Sequence, residues 1–108
     1  MAQTKKPLVS IIMTVYNDEN FLNDSIHSLL KQTYLNIEII LIDDASTDNS
    51  KFIYDSIEDP RLRIFKNKVN VGLTKSLNKA IKYVNGKYIA RQDSDDISKT
   101  HRIETQVS

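Results

Sequence analysis

The chain has no cysteine, which removes disulfides and thiolate zinc sites from the possibilities and fits a reducing compartment. It also lacks any excess of one charge. Fifteen Lys plus Arg stand against 14 Asp plus Glu, a net charge of about +1, so there is no electrostatic basis for holding DNA, RNA or an anionic membrane. Only two Gly and two Pro occur in 108 residues, too few to mark an interdomain linker. The longest apolar run, "LVSIIMTVY", is too short to cross a bilayer and follows a polar, basic start, "MAQTKKP". There is no internal repeat and no low-complexity tract, and the length fits one compact domain.

What is present alternates between two periods. Leu8–Val15 is rich in Val and Ile without polar alternation, as suits a strand covered on both faces. Asn17 or Asp18 is expected to cap the next helix, with Glu19 in its first turn. Leu22, Ile26, Leu29 and Leu30 then form one apolar stripe. "IEIILI" (37–42) reads as a second buried strand. Ser46 or Thr47 is expected to cap a helix carrying Phe52, Ile53 and Ile57, which stops before Pro60. "RLRIF" (61–65) is a third strand. Leu73, Leu77, Ala80, Ile81 and Val84 stripe a third helix, closed by the Asn85-Gly86 turn. "KYIA" (87–90) opens a fourth strand, and a last helix is expected from about Ser98. The order βαβαβαβα predicts an α/β fold, a mostly parallel Rossmann-like sheet with helices on both faces.

In such sheets ligands bind beyond the carboxyl ends of the strands. Those ends are where the polar residues gather: Thr14, Tyr16, Asn17 and Asp18 after the first strand, "DDASTD" (43–48) after the second, "NKVNVG" (67–72) after the third, and "DSDD" (93–96) after the fourth. Asp93 and Asp95 are two apart, and on an extended backbone they point the same way. Like charges that close favour a divalent cation. Carboxylate oxygens without thiol or imidazole suit Mg²⁺ or Mn²⁺, which carboxylates often share with a ligand's phosphates. As a structural feature alone, D-x-D-D would be a solvated turn with an acidic helix cap. Its place at a strand end, matched by Asp43-Asp44, favours the site. A calcium-binding helix-loop-helix reading, with Asp93, Asp95 and Glu104 at ligand positions, fails because Ser98 stands where glycine is required and a strand precedes the loop. No glycine-rich loop follows the first strand, so the dinucleotide fingerprint is absent. Phosphates would fall to a metal, or to Lys75 and Arg91, each more often a plain surface cation. His27, His101 and Tyr16 read as structural by default. A receiver-type phosphoacceptor domain would need an aspartate at the end of the first or third strand, where this chain has Thr14-Val15-Tyr16 and Phe65-Lys66-Asn67. A nucleotide-binding module without chemistry is the remaining alternative.

Taken together these segments resemble the family-2 glycosyltransferases of GT-A fold. "VSIIMTVYND" resembles the family's opening strand and Y-N turn, "IEIILIDDASTDNS" its D-D-G-S-T-D segment, "NVGLTKSLNKAI" its N-x-G stretch and "GKYIARQDSDD" the strand that delivers its D-x-D motif. The likeness runs from about Pro7 to Val107. It implies that Thr14, Tyr16 and Asp44 line a nucleotide pocket, with Asp44 toward the base, commonly uracil, and that Asp18 assists there. Asp93 would stand near the ribose or sugar. Asp95 would serve both nucleotide and metal, with Asp96 the second metal residue. Three positions depart from the pattern: Thr14 where proline is frequent, Ala45 where glycine follows the double aspartate, and Leu77 where arginine is frequent.

The resemblance further implies inverting transfer of a sugar from a nucleoside-diphosphate sugar, a UDP-sugar above all, to a hydroxyl of a glycan or lipid-linked acceptor, with Mn²⁺ or Mg²⁺ as cofactor. Residues 1–108 would be the amino-terminal, donor-binding portion of the catalytic domain. The acceptor-binding part and the catalytic base are expected beyond Ser108, so no catalytic residue is assigned within the chain. The expected location is cytoplasmic, or peripheral at the inner face of the membrane. An exposed sheet edge would also allow pairing between copies.

Overall fold

The computed structural model describes residues 6–107; the start of the basic segment, up to Lys5, lies outside them. The elements are β1 (Val9–Val15), α1 (Leu22–Leu30), β2 (Ile37–Asp43), α2 (Ser50–Asp55), β3 (Leu62–Lys66), α3 (Leu73–Ile81), β4 (Tyr88–Arg91) and α4 (Arg102–Val107). All three strand pairings are parallel, in the order β3-β2-β1-β4. From β1 the chain steps outward to β2 and β3, then returns to the other side of β1 as β4. Strand order therefore reverses between β1 and β4, and a crevice is expected at their carboxyl ends.

The two faces of the sheet are unequally covered. Ile11, Met13, Ile39 and Leu41 pack with Leu22, Ile26 and Leu29 of α1, with Tyr54 of α2 and with Ile103 of α4. On the opposite face Ile12, Ile40 and Ile42 meet Ala80 and Leu77 of α3, with Phe65, Tyr83 and Val84 around them. Leu77, the departure from the family's arginine, thus faces this apolar layer. The same face begins in a polar layer. The buried carboxylate of Glu38 accepts the Ser10 hydroxyl at 2.6 Å, the Asn85 amide N–H at 2.6 Å and the Arg63 guanidinium at 3.0 Å. Burial alone would push the Glu38 carboxyl up, but these donors outweigh it and hold the group below its ordinary value. Ser10 Oγ in turn accepts the Gly86 N–H at 2.8 Å. A Cβ on Gly86 would lie 2.6 Å from the Ser10 backbone nitrogen, so the turn after α3 needs glycine for close approach, not for an unusual φ.

Several local expectations differ from the structure. α1 starts at Leu22 without a side-chain cap; the Asp18 carbonyl instead accepts the Phe21 and Leu22 amides at 3.0 and 2.9 Å. α2 starts at Ser50, not near Ser46, and Asp48 Oδ1 takes the Ser50 N–H at 2.9 Å. Ser46 and Thr47 are engaged by Asn17 instead. Of the apolar residues this helix carries, Phe52 is 70% exposed, while Tyr54 is fully buried against the core. Ile81 is likewise half exposed. α4 begins at Arg102, because residues 92–99 are held in an irregular segment against α1.

Candidate functional site

Thr14, Tyr16, Asp18, Asp44, Asp93 and Asp95 line one cleft of about 360 Å³ at the carboxyl ends of β1, β2 and β4. The crevice lies at the point of strand reversal, where parallel topology puts it. Val15, Leu73, Ser76, Arg91 and Ser94 complete the wall; of these, Arg91 is the one that sequence reading offers for a ligand's phosphates. Lys75 lies on α3, exposed, and outside this lining.

The β1 and β2 loops interlock. Asn17, at φ 55°, turns its side chain onto the neighbouring loop, where Oδ1 accepts the Thr47 and Asp48 amides at 2.7 and 3.2 Å. The Asn17 N–H reaches Ser46 Oγ at 3.0 Å, and the Glu19 N–H reaches Asp48 Oδ2 at 3.1 Å. Asn tolerates a left-handed backbone. Ala45, at φ 62°, does not, so the missing glycine of the D-D-G pattern leaves a strained residue beside the site.

The two neighbouring aspartates of β2's end divide the work. Asp43 is turned to the core side, where Oδ2 accepts the Tyr54 hydroxyl at 2.5 Å and Oδ1 the Ser46 N–H at 2.9 Å. Burial and then this bond push the Tyr54 phenol far above its ordinary value. Asp44 is turned to the cleft and is 5% exposed. It accepts the Val71 N–H at 2.8 Å, the Asn67 side-chain amide at 3.0 Å and the Gly72 N–H at 3.0 Å. Burial would raise its carboxyl, but these donors, with the Ser76 hydroxyl, hold it ionised below the usual carboxylate range. Gly72, at φ 92°, supplies the left-handed turn that aims its own N–H at the carboxylate. Asp44 thus holds the 67–72 loop closed over β2, a role that sequence reading missed.

After β4 the backbone is not extended. The Asp96 N–H bonds the Asp93 carbonyl at 3.0 Å and closes a tight turn. That turn, rather than strand alternation, brings carboxylate oxygens of Asp93, Asp95 and Asp96 within 4.8 Å of one another, all three residues exposed. An all-oxygen set this close, facing water, fits a hard divalent cation that keeps part of its hydration. Arg91 reaches Asp93 at 3.2 Å. The Ser94 hydroxyl donates to the Asp18 carboxylate and ties the acidic turn to the β1 loop. Asp96 is not part of the cleft's lining and borders instead a second hollow of about 650 Å³ on the α4 side of the turn.

An open parallel sheet with helices on both faces and a polar crevice at its strand ends defines the doubly wound α/β class. The chain belongs to the glycosyl transferase family 2, whose model matches residues 10–108. EpsE of Bacillus subtilis is 47% identical over 105 residues, 94% of this chain and 38% of that protein. The Escherichia coli UDP-Glc:alpha-D-GlcNAc-diphosphoundecaprenol beta-1,3-glucosyltransferase WfgD is 44% identical over 101 residues, 94% of this chain and 40% of that protein. The chain therefore spans about two-fifths of the length of these relatives. Among solved structures, Staphylococcus aureus TarS residues 1–349 with UDP-GlcNAc superimposes with a TM-score of 0.85 at 27% identity, covering 91% of this chain and 29% of that one. The fold is that of the GT-A glycosyltransferases.

Proposed function

We propose that this chain is the donor-binding portion of an inverting, metal-dependent glycosyltransferase that takes a UDP-sugar and serves a glycan or lipid-linked acceptor. The observation that carries this reading is the single cleft lined by both Asp44 and the Asp93–Asp95 turn. WfgD is named for a UDP-sugar donor and a diphosphoundecaprenol acceptor, and TarS was solved with UDP-GlcNAc; both support the choice of donor.

In this reading Tyr16, half exposed at the cleft, offers a ring face to the base, and Thr14 a hydroxyl. Asp44, kept ionised, accepts a hydrogen bond from a base N–H. Asp18 and Asp93 face the ribose and sugar. Asp95 and Asp96, with Asp93 adjacent, would hold Mn²⁺ or Mg²⁺, which when bound offsets the negative charge of a diphosphate leaving group. Arg91 contributes a fixed cation at the same wall. No residue of the cleft is assigned as the carboxylate base that deprotonates the acceptor hydroxyl; we assign that base to the part of the relatives that this chain does not span. No helix among the described residues is long and apolar enough to cross a membrane. Independently of that, we place the enzyme in the cytoplasm, or peripherally at the inner membrane face, since the WfgD relative is named for a lipid-linked acceptor. Calorimetric titration with UDP, with and without Mn²⁺, tests the reading. Heat that grows with Mn²⁺ supports it, and equal heats in both conditions overturn the metal role.

A further inference from the structure

We infer that Gln92, with Ser25 and Ser28 of α1, positions the acidic turn for its cation: these are positioning residues, in contact with neither metal nor nucleotide. The inference rests on the reading of Asp93–Asp96 as the metal-holding turn. Gln92 is 3% exposed and fixed from three sides. Its N–H continues the sheet to the Ile12 carbonyl at 3.0 Å. Its side-chain amide nitrogen lies 2.8 Å from Ser25 Oγ, 3.0 Å from the Ser25 carbonyl and 3.2 Å from the Asp96 carbonyl. Its side-chain oxygen accepts from the Ser98 hydroxyl and from Arg102 at 3.2 Å.

The turn is also fastened directly to α1. The Ser25 hydroxyl donates to the Asp93 carbonyl at 3.2 Å, and Ser28 Oγ accepts the Ser98 N–H at 3.0 Å. One turn further along, Gln32 donates to the Lys99 carbonyl at 2.7 Å and accepts the Ile103 N–H at 3.1 Å. Ser25, buried, and Ser28, half-buried, stand at i and i+3 on α1, and Gln32, buried just past its end, continues the same line, so a polar stripe runs beside the apolar one. Two of its bonds stay within the stripe, from the Ser28 hydroxyl to the Ser25 carbonyl at 2.7 Å and from the Gln32 side chain to the Ser28 carbonyl at 3.1 Å; the others named here go to the segment 92–103.

Stability alone does not explain this stripe. Desolvating an amide and freezing a long side chain offset most of what its hydrogen bonds contribute. What a satisfied buried polar network supplies beyond an apolar one is a unique geometry. Here the geometry that matters is that of three carboxylates which repel one another and would splay apart on a loose turn. Groups behind a ligand shell that orient it typically govern metal affinity by about 10–100-fold.

The test compares wild type, Gln92→Leu and Ser25→Ala, with Ser10→Ala as a control at the opposite end of the sheet. Mn²⁺ affinity is read by electron paramagnetic resonance in the presence of UDP, UDP affinity without metal by calorimetry, and amide hydrogen exchange across the chain. The inference expects Mn²⁺ affinity to fall about 10-fold or more in Gln92→Leu, with UDP affinity without metal changed less than about twofold. It also expects faster exchange confined to residues 93–98, and the control should leave Mn²⁺ affinity unchanged. Should Gln92→Leu not fold, Ser25→Ala carries the same comparison. A folded variant with Mn²⁺ affinity within about twofold of wild type overturns the inference, as does an equal loss in Ser10→Ala. A wild type that binds no Mn²⁺ with UDP overturns the metal reading itself, a result distinct from a change confined to the variants.

Discussion

Asp44 Oδ1 lies 2.8 Å from the backbone nitrogen of Val71, 27 residues further along the chain. The residue that faces the proposed base is therefore also the anchor of the loop after β3. Asp44→Asn keeps the shape but turns a donor toward donors. Its one remaining oxygen can still accept either the Val71 or the Gly72 amide, so we expect it to lower stability by about 1–3 kcal/mol through the other, left unmet, to speed amide exchange at residues 67–72, and to weaken UDP binding at least about 10-fold, roughly 1.4 kcal/mol or more. Urea unfolding and calorimetry on one preparation measure these effects. Loss of UDP binding with unchanged stability would mean that the latch contributes nothing.

Asp95→Asn and Asp96→Asn should behave in the opposite way. Both residues are exposed and belong to a crowded set of like charges, so removing one relieves repulsion. Melting temperature is expected to stay within a few degrees or rise, since surface changes rarely exceed about 0.5 kcal/mol. UDP binding in Mn²⁺ should fall at least about 10-fold, an effect typical of losing a ligand-shell group. A markedly lower melting temperature in either variant would make the residue structural.

Ala45→Gly is expected to stabilise the protein. A left-handed alanine costs about 1–2 kcal/mol, and glycine returns roughly 0.5–1 kcal/mol of that as chain entropy. The net gain of about 0.5–1 kcal/mol corresponds to a rise of roughly 2–6 °C in Tm, read by calorimetric scanning. A lower Tm would show that φ 62° is not strained here.

Acid should weaken the fold through Glu38 and Asp44. Both carboxyls sit below their ordinary values of 4.5 and 3.8 in the folded state. The unfolded chain therefore takes up their protons first as pH falls. Their contribution is complete above the ordinary values and is lost as pH drops through the lowered ones. Urea midpoints measured from pH 7 to pH 3 should fall steeply below about pH 4.5. Glu38→Gln should start lower at pH 7 and fall less steeply. Parallel curves would assign the acid sensitivity elsewhere.

The strands and the rim were legible because buried parallel strands carry their signature in every residue: "IEIILI" admits little else, and Asp43-Asp44 must then stand at its end. The caps were not legible. Asn17 has the composition of a helix cap, yet its left-handed backbone sends the side chain across to Thr47, 30 residues away. The acidic motif was placed correctly at the end of β4, but its convergence comes from a turn closed by Asp96 N–H to Asp93 O, which a spacing of two cannot distinguish from a strand. Gln92 escaped notice because a lone polar residue inside "ARQD" gives no periodic sign of burial. Its burial depends on Ser25 and Ser28, which sequence reading passed over in favour of Leu22, Ile26 and Leu29.

The Ser10–Glu38–Asn85–Gly86 cluster fastens the strands at the end of the sheet away from the cleft. Alignment of β1 with β2 and β4 is thus decided far from the cleft. Loops 67–71 and 93–98 can be rebuilt without disturbing how the strands line up, so the rim can change while the scaffold stays.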